Sequence, residues 1–240
     1  MSSTTLAVLD SSSEPGSLRR FKYYDLLVHF FVVILLISNL IAPKITQIGP
    51  LTLSGAQLLF PITYIFGDVF TEVYGYAGSR RAIWVGFFAS GLLAVMGLAV
   101  VHLPAAPTWT DQAVFEKVFN FVPRLVIASL IAYWAGEFAN SFVMAKMKLL
   151  TGGRHLWMRT IGSTVVGQAV DTVIVITLIF WPEQPLSTLA ALMISGYVGK
   201  VIYEAAATPL TYLIVNFLKR KEGVEVFDRG SDFSPFRADL

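Results

Sequence analysis

Six stretches of this chain, residues 25–43, 51–76, 81–103, 121–147, 160–181 and 187–218, are each long and apolar enough to cross a lipid bilayer. A helix needs about 20 predominantly apolar residues for one crossing. Lipid offers no partner to backbone N–H and C=O groups, so an open chain crosses it as helix. The stretches lack the apolar–polar alternation of a membrane barrel. Of the 240 residues, 55% are hydrophobic and 14% charged, against roughly 25% charged in a soluble domain. The expected fold class is all-α: a polytopic membrane protein with a six-transmembrane-helix bundle over residues 21–220. A disordered tail (1–20) and a C-terminal tail (221–240) are expected to flank it.

Lys and Arg set the orientation of such a bundle. One side collects Arg19, Arg20 and Lys22, then Arg80 and Arg81, then Lys146, Lys148, Arg154 and Arg159. It also takes Lys219, Arg220, Lys221, Arg229 and Arg237. The other side has Lys44, Lys117 and Arg124, and Lys200 falls inside a span. The bias alternates correctly through six crossings, which places both termini in the cytoplasm. The basic residues at 19–22 lead directly into a full span, so a cleaved signal peptide is not expected. The last stretch is longer than one crossing and holds Gly196, Gly199 and Pro209, so tilt, a kink near Pro209 or a short surface segment is expected.

No cysteine is present, which excludes disulfides and thiolate metal sites. His29, His102 and His155 are far apart and show no metal-ligand spacing. No metal and no cofactor is expected. The net charge of +2 gives no indication of nucleic acid.

Charged residues at the bilayer centre cost roughly +2.5 to +3.5 kcal/mol each on insertion scales. This chain keeps Asp68, Glu72, Glu137, Asp171, Lys200 and Glu204 within its spans, with Asn39, Gln57, Asn140 and Gln168 adding amides. Gln57, Pro61, Tyr64, Asp68 and Glu72 step by four, three, four and four, and so share one helix face. Glu137 and Asn140 are three apart, as are Gln168 and Asp171. Lys200 and Glu204 are four apart, with Tyr203 beside them. Four helices each presenting a carboxylate would converge on one polar cavity. Structural readings stand beside this one. Lys200 and Glu204 can form an intrahelical ion pair, and Asp68 and Glu72 can lock to Arg80 and Arg81. Lys44 reads as a snorkelling anchor. The small residues of spans three and five (Gly86, Ser90, Gly91 and Gly97; Gly162, Ser163 and Gly167) read as close helix packing. Trp109, Trp157 and Trp181 fit an interfacial belt.

Catalysis in the membrane is disfavoured by the residues. Gly67–Asp68 lacks the second, matching aspartate that an aspartyl dyad needs to share a proton. None of the three histidines is deep in a span, as an intramembrane serine mechanism requires. A set of carboxylates and amides suits a binding site better than a pore ring. It fits a small heterocycle rich in hydrogen bonds, such as a purine-like base, with amino acids or vitamins nearly as well accommodated.

The stretch SNLIAPKI (38–45), followed by FPITYIFGDVFTEVYGYAGSRRAIWVGF (60–87), resembles the signature region of the queuosine precursor transporter family, once classed as putative vitamin uptake transporters. EFANS (137–141), QAVD (168–171) and KVIYE (200–204) fit as well. The likeness covers about residues 22–220. It implies six spans and inner-membrane uptake of 7-cyano-7-deazaguanine or 7-aminomethyl-7-deazaguanine. The substrate-binding candidates are then Glu137, Asn140, Gln168, Asp171, Glu204, Tyr203, Tyr64 and Gln57, with Asp68, Glu72 and Lys200 as gate or coupling candidates. The partners expected are the small-molecule base and the lipid bilayer; oligomeric state is open, a homo-oligomer included. A second reading is the substrate-binding membrane subunit of an energy-coupling vitamin transporter, which docks on partners through small-residue helix faces.

Overall fold

A computed structural model of the chain describes residues 7–10, 21–42, 44–48, 51–119 and 123–236. Strand β1 (Ala7–Asp10) precedes helix α1 (Tyr24–Ile41). A hairpin of β2 (Ile45–Ile48) and β3 (Leu51–Ser54) leads through a 3₁₀ turn (Gly55–Leu58) into α2 (Phe60–Val101). Then come α3 (Gln112–Phe119), α4 (Pro123–Thr151), α5 (Leu156–Phe180), α6 (Leu186–Glu222) and strand β4 (Val224–Phe227). Among the described residues, five helices are long and apolar enough to cross a membrane. The all-α polytopic bundle expected from composition is therefore the fold.

Expected spans two and three both lie in α2, which is broken at Gly75 (φ 77°, ψ 176°). Contacts with α1 show that the chain reverses there. The Tyr24 ring meets the Tyr74 ring at 5.1 Å, and its hydroxyl donates to the Gly78 carbonyl at 2.7 Å. Two turns along α1, Phe31 meets Phe70 and Phe66 at 5.6 and 6.0 Å and also faces Gly86. Further on, Asn39 donates to Ser90 at 3.3 Å. Advancing along α1 thus means descending numbers before Gly75 and ascending numbers after it. α2 therefore comprises two legs. The first limb of α2 rises only about 22 Å, short for a ~30 Å hydrocarbon core. Helix α6 remains a single helix through Pro209 over 37 residues. Its length of about 55 Å exceeds a ~30 Å hydrocarbon core, and Lys219–Lys221 lie in its last turn.

The first and last strands described meet at the end where Gly75 lies. β1 pairs in parallel with β4, Ala7 opposite Val224 and Asp10 opposite Phe227. Ala7–Asp10, read from composition as part of a disordered tail, thus form a strand. Glu222 at the end of α6 accepts the Lys22 and Tyr23 N–H groups, each at 2.8 Å, and so supports the start of α1. The C-terminal segment, expected as a polar tail, is packed across this end. Asp228 takes the Tyr76 N–H on both oxygens at 3.1 Å, which caps the second limb of α2 where its N–H groups lack helical partners. Arg80 donates to the carbonyls of Asp232 and Ser234, and Trp84 to that of Pro235. Phe233 covers Tyr76, with the Lys146 ammonium 4.0 Å from its ring centroid.

The reversal depends on glycine. A φ of 77° with ψ near 180° is a region that side chains essentially do not adopt, at a strain of about 1–3 kcal/mol. A Cβ on Gly75 would also fall 2.9 Å from Val226 Cγ1 and 3.1 Å from Asp228 Oδ1. Gly75→Ala is expected to lower the melting temperature of purified protein markedly. A melting curve matching that of the unsubstituted protein would show that the turn tolerates a side chain.

Candidate functional site

The bundle encloses a cavity of about 360 Å³, within the usual 300–1,000 Å³ range of small-molecule pockets. It extends from Asn39, Ala42 and Ala56, near the β2–β3 hairpin, to Tyr64, Glu137 and Gln168 at mid-bundle. A recess of about 10 Å³ shares Tyr64, Glu137 and Gln168 with it and adds Asp68, Asn140 and Thr164. Polar groups from α2, α4 and α5 therefore meet at one place.

Three glycines allow this approach. A Cβ on Gly136 would lie 2.8 Å from Asp171 Cβ and 3.1 Å from the Gly167 carbonyl. One on Gly167 would lie 2.7 Å from Asn140 Cβ and 2.9 Å from the Gly136 carbonyl. The glycine of each helix thus faces the polar residue of the other, and α4 and α5 pack backbone to backbone. On α2, Gly67 leaves room for the Glu137 carboxyl, whose Oε2 would stand 3.1 Å from an added Cβ. The sequence suggests close packing at Gly167 and carries no signal that Gly67 and Gly136 belong to the site.

The hydrogen-bond balance of the site is one-sided. Asn140 donates to Asp68, and Gln168 donates to the Tyr64 oxygen. That leaves Asp68 Oδ2, Asn140 Oδ1 and Gln168 Oε1, all on the recess, buried with no donor among the described residues. Each is an acceptor. An unsatisfied buried polar group costs about 1–3 kcal/mol, so the site is built to receive donors.

The remaining residues fall into distinct environments. Lys200 does not pair with Glu204 along its own helix. It crosses to α5 and bonds Asp171 at 2.5 Å, and both line the cavity. Glu204 stands beside Asp68, outside the cavity lining, and 1% exposed. Tyr203 is 46% exposed and turned away from the cavity. The side chain of Gln57 lies outside the described ones. Tyr133, Ser90 and Thr164 line the site without having been singled out as binding residues. A lone hydroxyl on an apolar helix carries no periodic signal.

Glu72, one turn from Asp68, has the opposite environment. It is fully buried and accepts from Arg159 at 2.7 Å and 3.2 Å and from Lys219 at 2.6 Å. Lys148 lies 3.3 Å from its carboxylate and donates to its backbone carbonyl at 2.7 Å. Glu225 of β4 completes the cluster, taking Lys148 at 2.9 Å and Lys219 at 2.7 Å. The sequence offered Arg80 and Arg81 as partners for a lock; the lock exists, but with cations from α4, α5 and α6.

Comparison with known proteins agrees with this architecture. A family model described as "Putative vitamin uptake transporter" matches residues 54–214, which hold most of the cavity and all three glycines. The chain belongs to that family. The chain is 27% identical over 186 residues to the "Probable queuosine precursor transporter" of Bacillus subtilis (strain 168), covering 77% of this chain and 81% of that one. It is 23% identical over 164 residues to the "Queuosine precursor transporter" of Escherichia coli (strain K12), covering 68% and 71%. No solved structure matches the chain. The family and the apolar helices together make this a multi-pass membrane transporter.

Breaking a buried ion cluster by removing one partner costs about 3–5 kcal/mol. Glu72→Gln leaves Lys148, Arg159 and Lys219 short of a carboxylate. It is expected to reduce the detergent-solubilised yield and melting temperature sharply, whereas Glu137→Gln, which deprives no cation, leaves both near the unsubstituted values. Equal thermal stability of the two variants would contradict the structural role of Glu72.

Proposed function

We propose that the chain imports queuosine precursors, 7-cyano-7-deazaguanine, 7-aminomethyl-7-deazaguanine or both, across the inner membrane with both termini in the cytoplasm. The observation that carries the reading is the group of buried acceptors without donors at the polar end of the cavity. A guanine-type edge presents a ring N–H and an exocyclic amine side by side, and one carboxylate accepts both. Glu137 takes that role: it lines both the cavity and the recess. Asn140 and Gln168 supply carbonyl oxygens beside it, and their N–H groups can turn to the ring carbonyl of the base. Tyr64 and Tyr133 offer ring faces to a flat ligand. Asp171, held by Lys200, shapes the wall facing α6. The names of the two relatives point to the same cargo.

The orientation follows from the cationic end, where Arg80, Lys148, Arg159 and Lys219 gather with the first and last strands described. The cavity extends toward the opposite end, which then faces the periplasm. The energy-coupling subunit is the second reading. Its docking faces are largely used within the bundle, since Gly86 meets Tyr133, Gly162 meets Met147 and Gly167 meets Gly136. This supports transport without a partner.

Purified protein in liposomes is expected to exchange labelled 7-cyano-7-deazaguanine with unlabelled base. Glu137→Gln should reduce the exchange by at least about tenfold, the effect of losing one charge-assisted hydrogen bond of about 1.5–3 kcal/mol. Full exchange in Glu137→Gln would remove that residue from the site. No exchange of the base by the unsubstituted protein, with transport of a vitamin instead, would overturn the cargo.

A further inference from the structure

One buried pair of titratable groups is left unexplained by binding of the base. Asp68 on α2 and Glu204 on α6 are each 1% exposed. Their carboxyls face each other within hydrogen-bond reach. Neither oxygen of Glu204 has a donor among the described residues, and Asp68 Oδ2 has none. Asn140 satisfies the other side of Asp68. Two carboxylates in contact repel each other and cannot hydrogen-bond; one proton between them removes the repulsion and forms the bond.

The surroundings leave the pair uncompensated. α4 presents Glu137, a third carboxyl, and α2 itself presents Tyr64. On α5, Asp171 is already bonded to Lys200 of α6 and Arg159 to Glu72. On α1, Asp25 and His29 lie at exposed positions. The three cations one turn below Asp68 are taken by Glu72 and Glu225. No cation is therefore bonded to the pair among the described residues.

We propose that Asp68 and Glu204 form a proton-binding site, one proton held between α2 and α6, and that import of the base is coupled to movement of that proton toward the cationic end. With the proton in place, the two carboxyls tie α6 to α2. When it leaves, two adjacent negative charges push the helices apart next to the Glu72 cluster, at the end that the C-terminal segment covers. Protonation thus controls opening on that side. The inference rests on the cargo reading above, and its test separates the two.

The probe is labelled 7-cyano-7-deazaguanine, whose nitrile substituent carries no charge, with full-length protein in liposomes. An inward pH gradient, acidic outside, is expected to drive several-fold accumulation over equal pH. Glu204→Gln is expected to retain exchange at equal pH and lose the gradient response. Exchange by the unsubstituted protein without any gradient response, or a normal response in Glu204→Gln, overturns the proton site and leaves the cargo standing. Absence of exchange in the unsubstituted protein overturns the cargo reading and the coupling with it. Infrared difference spectroscopy gives a readout independent of transport. A protonated-carboxyl C=O band at neutral pH should be present in the unsubstituted protein and lost in both Asp68→Asn and Glu204→Gln. Its persistence in both variants overturns the proposal.

Discussion

The buried Glu72 carboxylate holds the cationic end of this protein together. Its partners come from three other helices, Lys148 on α4, Arg159 on α5 and Lys219 on α6, and β4 adds Glu225. Charges taken out of water at this depth are tolerable only when each is matched and hydrogen-bonded. The cluster therefore constrains four long helices at a single level. Immediately beyond it, Gly75 reverses the chain, and Asp228 caps the new helix. The first and last strands described, the turn and the ion cluster form one closed end.

Moving one turn up the same face of α2 changes the electrostatics. Glu72 has three cations; Asp68 has none among the described residues and faces Glu204 instead. Close helix packing produces both outcomes. The Gly136–Gly167 contact brings Asn140 and Asp171 against the opposite backbones, and Gly67 admits the Glu137 carboxyl. Packing of this kind brings polar groups of different helices together. The result is an acceptor-rich chamber above a compensated base. That contrast suits a carrier, in which a compensated cluster ties the helices together while the carboxyl pair beside it can release them.

Much of the site was legible in the sequence because polar residues in an apolar span have few places to go. Spacing placed Tyr64, Asp68 and Glu72 on one face, and Glu137, Asn140, Gln168 and Asp171 do converge. The pairings were not legible. Lys200 has Glu204 one turn away on its own helix, yet bonds Asp171, 29 positions distant. Tyr203 is adjacent to Glu204 in sequence but points outward, since one residue turns a helix by about 100°. Gly67 and Gly136 gave no warning, because a glycine's role here is the absence of a clash with a residue far along the chain.

Apolar length and the chemistry of the residues within it determined by themselves that this chain is a helical membrane protein with polar groups turned inward. Lipid leaves the backbone no other solution and makes exposed charge costly. Only the tertiary structure decided which charge each carboxylate meets, that α2 folds back at Gly75, and that the C-terminal segment is packed across one end. Those outcomes depend on helix rotation and on contacts between residues distant in the chain, such as Tyr76 and Asp228, 152 positions apart. A periodic pattern specifies a face; it does not specify what stands opposite.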